Sequence, residues 1–405
     1  MEKTVLEQYR EQFQALANKT YFNYGGQGPM PKVALSAIHR AYEYIQEIGP
    51  FSGETQAWIF EEEMPKIRKA IASELTVPSE TITLTENVTV GCNIPLWGLN
   101  WQAGDHVLIT DCEHPGIVAV VGEIARRFRL EVSTFPLMKT LNQGNPLELL
   151  AQHLHSNTRL IVLSHILWNT GQVLPLTEIM KLCRKWGKQA THSRKPLVLV
   201  DAAQSVGVLP LNLIESGVDF YAFTGHKWWC GPEGLGGLYV SPDAAASLQP
   251  SFIGWRGIVT NSAAEVTGFK PDGRRFEVAT SAYPLYAGLR EAIAIHHQWG
   301  TIEERYQRIL ELSKFLWQKL NGIRQINCLR TAPPEAGLVS FKLDKTLRDA
   351  GATHAQLVKF LEKEYRIMVR TILSPDCVRA CVHYFTLESE IEQLVEAITD
   401  FCQKY

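Results

Sequence analysis

The chain has 405 residues, 45% of them hydrophobic and 20% charged, the balance of a soluble globular protein large enough for two lobes. A net charge of −2 leaves no basic excess for nucleic acid or acidic lipid, and no apolar run is long enough to span a bilayer. The 8 cysteines are scattered with no Cys-x-x-Cys pair and the N-terminus lacks a signal-peptide core, so a cytoplasmic protein with reduced thiols is expected, with neither a disulfide framework nor a zinc site.

Residues 1–19 alternate charged and apolar positions at helical spacing and predict an amphipathic opening helix. Tyr21 to Pro31 follows, where Gly25, Gly26, Gly28 and a Pro-x-Pro force an extended, irregular passage. Helices are expected over 32–48 and 54–75, separated by Gly49-Pro50-Phe51-Ser52-Gly53. Thr81–Thr85 reads as a strand feeding a helix start rich in Asn and Thr (Asn87, Val88, Thr89, Asn93), which is either ordinary capping or an anion site of free amides and hydroxyls. Val107–Thr110 and Leu160–His165 are further strands, the first leading to Glu113-His114 and the second ending before Asn169-Thr170-Gly171. A helix over 176–190 leads to a polar surface loop, Thr191 to Pro196.

Leu197–Val200 is a short, continuous apolar run, the pattern of a strand buried on both faces, and it ends at Asp201-Ala202-Ala203-Gln204. The next run, Val218–Phe223, stops at Thr224-Gly225-His226-Lys227. An acid at one strand end and a lysine at the next suit pyridoxal phosphate: the lysine forms a Schiff base with its aldehyde, and the carboxylate keeps the ring nitrogen protonated. The glycine-rich Gly231–Gly237 is a turn before a returning strand, 238–240. From about residue 286 one long helix is expected, then a strand at 337–341, a helix over 354–365, a short strand at 367–370 and a last helix over 388–402.

Asp201-x-x-Gln204 followed by Thr224-x-His226-Lys227 resembles the fold-type I pyridoxal-phosphate enzymes of the class V aminotransferase and cysteine desulfurase group. The resemblance implies an α/β fold with a large cofactor domain over 20–285, built on a mainly parallel seven-stranded sheet between helices. It also implies a smaller α/β domain made of 1–19 and 286–405. It implies that Lys227 carries the cofactor, that His114 stacks on its ring and that Asn87, Val88 and Thr89 hold its phosphate. Asn169 is implied beside its phenolic oxygen, with Gln204, Thr224 and His226 completing the cofactor contacts. Phe276-Glu277-Val278-Ala279-Thr280 resembles a segment whose threonine reaches the phosphate of a neighbouring subunit, which implies a homodimer. Gly26 and Gln27 are implied to border the substrate; Trp255 reads equally as interface packing or as a lid.

The family spans several reactions, so the fold does not choose among them. Arg379-Ala380-Cys381-Val382-His383-Tyr384-Phe385-Thr386 resembles the segment whose arginine binds a substrate α-carboxylate, and Arg370 could take a second carboxylate. The cysteine-bearing loops of desulfurases are absent: Cys377 lies late and beyond Pro375. The whole-chain likeness is greatest to the L-cysteine/cystine C–S lyases of this group. It implies β-elimination to pyruvate, ammonia and a persulfide or sulfide, with a sulfur-acceptor protein and iron–sulfur cluster supply as associated roles. Cysteine desulfurase, class V aminotransferase and a non-catalytic sulfur-carrying scaffold are the alternatives.

Overall fold

The computed structural model describes residues 5–189 and 195–405. The first residues of the expected opening helix and most of the loop expected at Thr191–Pro196 lie outside them. Seven strands form the central sheet: β1 Ile82–Thr85, β2 His106–Thr110, β3 Glu131–Phe135, β4 Thr158–Ser164, β5 Leu197–Asp201, β6 Phe220–Thr224 and β7 Gly236–Val240. Their order is β1-β7-β6-β5-β4-β2-β3, and β7 alone runs against its two neighbours. The antiparallel return after the glycine-rich turn is therefore as expected.

The continuous apolar runs are explained by burial on both faces. Val198, Val200, Tyr221 and Phe223 join one core cluster, whereas Leu197, Leu199, Phe220 and Ala222 join another on the opposite face. Because six strands point the same way, their carboxyl ends share one edge, and the loops that leave them converge there.

Two helical expectations change within the body of the chain. The expected helix over 54–75 holds a π-helical turn, Trp58–Glu63, between Gly53–Ala57 and helix α1, Met64–Leu75. Pro65 follows that turn; its missing N–H and its ring do not fit a regular α-turn. The expected long helix from 286 is two helices, α2 Pro284–Trp299 and α3 Ile302–Asn321. They break at Gly300, where Thr301 and Glu304 form a capping box that starts the second. Helix α2 packs on the large lobe, with Tyr286, Leu289 and Ile293 in the core on one face of the central sheet.

The small lobe is an antiparallel sheet of β8 Ile326–Cys328, β9 Leu338–Leu343, β10 Arg370–Leu373 and β11 Asp376–Cys381, in the order β8-β9-β11-β10. It is covered by α3, His354–Tyr365 and Glu388–Cys402. The N-terminal helix ends earlier than expected, at Arg10, and a 3-10 turn follows at Gln14–Ala17. The segment is anchored on the end of the small lobe, where Phe13 stacks on Phe385 with ring centroids 4.5 Å apart. Among the described residues no helix is long and apolar enough to cross a membrane.

Candidate active site

At the shared carboxyl edge of the sheet lies a cavity of about 450 Å³. Ten residues expected at the site line it: Asn87, Val88, Thr89, His114, Asp201, Gln204, His226, Lys227, Arg370 and Arg379. They come from four strand ends or loops of the large lobe and from the small lobe, so the cavity is shared between the lobes.

Asp201 ends β5, is buried, and accepts the Ala203 amide on Oδ1 at 2.9 Å. Burial raises its carboxyl above the usual range; the Ala203 amide, Lys227 and His114 oppose that rise. Lys227 follows the end of β6, and burial pushes its ammonium down to about 8, Asp201 opposing and Arg379 and Arg370 reinforcing. Thr224 is fully buried and does not line the cavity; its Oγ1 lies 2.8 Å from His226 Nδ1 and orients that ring. The Gly28 amide donates to His226 O at 2.8 Å, and a Cβ at Gly28 would meet Lys227 O at 2.2 Å. Only glycine allows this close approach of the irregular 21–31 passage to the lysine loop.

His114 caps the helix Pro115–Phe128 and faces Trp168 edge-on, ring centroids 5.6 Å apart. Burial in the cavity wall lowers its imidazole below the ordinary range despite Asp201, with Lys227 and Arg370 adding to the shift. Its neighbour Glu113 fixes the loop, accepting from Thr110 Oγ1 at 2.6 Å and from the Ser164 hydroxyl at 2.8 Å and amide at 3.1 Å. Asn87 caps the helix Val88–Gly98 through the Val90 amide at 3.0 Å, which leaves Val88 and Thr89 in the first turn on the cavity wall. Gln204 donates to Gly25 O at 2.9 Å and accepts from Trp228 Nε1 at 2.9 Å, so it ties the cavity wall to both flanking loops.

Arg379 is a buried strand residue, 1% exposed. Its Nη1 donates to Trp168 O at 2.6 Å, while Nε and Nη2 have no partner. Arg370 stands directly opposite it in the β10–β11 register. Two like charges facing across a sheet repel, so this arrangement favours an anion between or beside them. Cys377, on the same strand as Arg379, is fully buried opposite Ile372 and its thiol is pushed up to about 12 by burial. Among the described residues no cysteine lines the cavity.

Other expected residues lie elsewhere in the chain. Asn169 is buried behind the wall, donating to Ser374 O at 3.1 Å. Gly26 is outside the lining and Gln27 is exposed, donating to Glu233 at 3.2 Å; their neighbour Gly25 is the residue that reaches the cavity. Trp255 is half exposed against Phe60, and Thr280 lines a second, larger cavity of about 1260 Å³ that shares Val90 with this one. Gly25, Trp168, Ser164 and Ile166 also line the site and were not singled out from the sequence. The Trp168-Asn169-Thr170-Gly171 run offered a signal for Trp168, an aromatic directly before a strand-end polar turn.

Comparison with known proteins adds to this geometry. Two solved structures of C-DES are each 51% identical with a TM-score of 0.92, covering 96% of this chain and 99% of that one. One is a lysine-to-alanine variant with glycine covalently linked to the PLP cofactor; the other is described as the cystine C–S lyase in complex with its reaction product cysteine persulfide. Isopenicillin N epimerase of Amycolatopsis lactamdurans is 27% identical over 419 residues, covering 96% of this chain and 97% of the epimerase. A cysteine desulfurase of Escherichia coli is 27% identical over 359 residues, covering 83% and 82%. The profile described as "Aminotransferase class-V" matches residues 20–394, and the chain belongs to that family.

Proposed function

We propose that the protein is a PLP-dependent carbon–sulfur lyase, cleaving the Cβ–S bond of L-cystine or L-cysteine to give pyruvate, ammonia and a persulfide or sulfide. The observation that carries this reading is the cross-strand pair Arg370 and Arg379 lining one cavity with Lys227 and Asp201, with no cysteine on its wall among the described residues.

The residues present fit the cofactor. Asp201 is a buried carboxyl suited to a ring nitrogen, His114 a flat neutral face, and the first turn at Val88 and Thr89 a source of amides and a hydroxyl for a phosphate. Lys227 supplies the amine for its aldehyde. When bound, the cofactor supplies an electron sink for the pair left as the substrate Cα–H bond breaks.

The chain's own residues do the rest. Arg379 offers its unpartnered Nε and Nη2 edge to the substrate α-carboxylate, a two-point contact that orients Cα. Arg370 offers a second cation to the distal carboxylate of a disulfide substrate. Lys227, with its amine near 8, takes the Cα proton close to neutral pH and can return it. Sulfur leaves with its electron pair, more readily as a persulfide than as hydrosulfide because the lower-pKa sulfur is the better leaving group. No enzyme thiol takes part.

This reading includes a homodimer in which Thr280 serves the phosphate of the second copy; the exposed Phe252, Ile253 and Val266 are apolar surface that such a copy would cover. It also includes a cytoplasmic setting and a role in supplying sulfur to an acceptor, iron–sulfur clusters among them. The test is to assay pyruvate, ammonia, alanine and persulfide together from cystine and cysteine, for the wild type and Cys377→Ala. Pyruvate formation that survives the substitution is expected. Alanine as the main product, abolished by Cys377→Ala, would transfer the chain to the desulfurases. Neither keto acid nor a visible absorbance change with any amino acid would favour a sulfur-carrying scaffold.

A further inference from the structure

Behind the lysine loop lies a buried polar cluster that the reaction above does not use. Trp228 O accepts from His383 Nε2 at 2.9 Å, and Trp229 O accepts from His296 Nε2 at 2.8 Å. A carbonyl oxygen can only accept, so each imidazole carries a proton on Nε2. Burial holds both rings well below the ordinary range, His383 at about 3, with the Arg305 cation adding to the shift of each. Both are therefore neutral, and each Nδ1 is an acceptor. His296 Nδ1 takes the Tyr384 hydroxyl at 2.5 Å, which in turn accepts from the Tyr9 hydroxyl; His383 Nδ1 takes the Tyr384 amide at 3.1 Å. The donor directions from the Tyr9 hydroxyl through Tyr384 and His296 to Trp229 O are fixed by this chain of contacts.

The same two tryptophans are held at their side chains. Trp228 Nε1 donates to Gln204 at 2.9 Å and Trp229 Nε1 to Glu74 at 3.0 Å. The carbonyls of His226 and Lys227 are also taken, by the amides of Gly28 and Cys230. His383 lies four residues beyond Arg379 in the segment that leaves β11, whereas His296 belongs to α2 of the large lobe.

We infer that His383 and His296 are positioning residues: two neutral imidazoles that clamp the consecutive carbonyls after Lys227, keeping its side chain in register with Asp201 and with the strand that carries Arg379. The inference rests on the reading of Lys227 as the base. It assigns the clamp to transition-state geometry rather than to substrate affinity, because neither imidazole lines the cavity.

The test compares His383→Phe, which keeps a ring beside Phe385 but deletes the donor, with His383→Gln, which restores an N–H donor. Hydrogen exchange over the 225–235 segment is measured on cofactor-free protein, and steady-state kinetics on the holoenzyme. His383→Phe is expected to raise exchange on the order of tenfold, since a buried carbonyl loses its partner. It is also expected to lower kcat on the order of tenfold or more with KM within about twofold. His383→Gln should recover most of both. Tyr384→Phe removes one hydroxyl from the chain and should raise exchange at Trp229–Cys230, giving a second reading where His383→Phe does not accumulate. Unchanged exchange and kcat in these variants, or a Gln variant as impaired as Phe, overturns the clamp. A wild type with no visible absorbance and no lysine trapped by borohydride overturns the pyridoxal reading instead, whatever the exchange shows.

Discussion

Replacing Arg379 by alanine isolates the contact proposed to orient the substrate. In the structure the guanidinium is 1% exposed, and only Nη1 is engaged, by Trp168 O at 2.6 Å. Nε and Nη2 carry unmatched donors in a cavity that also holds Arg370 and Lys227. Burial accordingly lowers the pKa of this arginine. Truncating one partner of a buried, charge-assisted pair costs about 2–5 kcal/mol, which is roughly 30- to 5000-fold in kcat/KM. Part of that is offset here, because the free enzyme is relieved of an unmatched buried cation and of its repulsion with Arg370. The lower half of the range applies, on the order of 10²-fold. A coupled pyruvate assay over a series of cystine concentrations separates the effect into KM and kcat, and the visible absorbance reports whether cofactor is retained. The loss should fall mainly on KM, with absorbance unchanged. An Arg379→Ala enzyme with native KM for cystine would refute the assignment of Nε and Nη2 to the carboxylate.

Three further outcomes are expected. The amine of Lys227 is free above about 8, so recapture of pyridoxal phosphate by cofactor-free enzyme should accelerate as pH rises through that value; a midpoint near the ordinary lysine value of 10.5 would contradict the burial argument. Asp201→Asn should retain cofactor by absorbance yet lose roughly 10²-fold or more in pyruvate formation, because a neutral amide no longer holds a ring nitrogen protonated; near-native turnover would remove Asp201 from the mechanism. Glu277 accepts from Arg68 at 2.7 Å, from the Leu84 amide at 2.9 Å and from Arg256, all buried, so Glu277→Ala strands two cations. Urea unfolding should register a loss of about 3–5 kcal/mol, and a loss below about 1 kcal/mol would mean the network relaxes.

The lysine and the aspartate are legible in the sequence because each ends or follows a short apolar run of the kind a strand buried on both faces produces. Local pattern and position on the sheet edge then coincide. For His114 and the Asn87–Thr89 turn, local pattern leaves a loop residue or an ordinary cap equally open, and only the family resemblance points to the cofactor. What local pattern cannot carry is register between distant segments. Arg370 and Arg379 read as two arginines nine residues apart, and only the antiparallel pairing of β10 with β11 sets them face to face. The contacts of Trp168, His114 and Arg379, are remote in sequence, so local pattern does not place it at the site. Apolar periodicity continues across the break at Gly300 and masks it, although Thr301 and Glu304 spell a capping box. Proline's effect at Pro65 was a turn of wider pitch rather than an end to the helix, since the flanking residues keep packing on the core.

The tight turn between β10 and β11 bears on how sulfur would travel. Only Ser374 and Pro375 separate the two strands, so this edge of the cavity has no length of chain on which a mobile thiol could swing between substrate and surface. An enzyme that stores sulfur on itself must meet an acceptor once per turnover, and its flux is then governed by docking. With no such arm here, sulfur produced by the proposed reaction departs as a free small molecule. Delivery then follows the diffusion and lifetime of that molecule, and any thiol within reach competes for it.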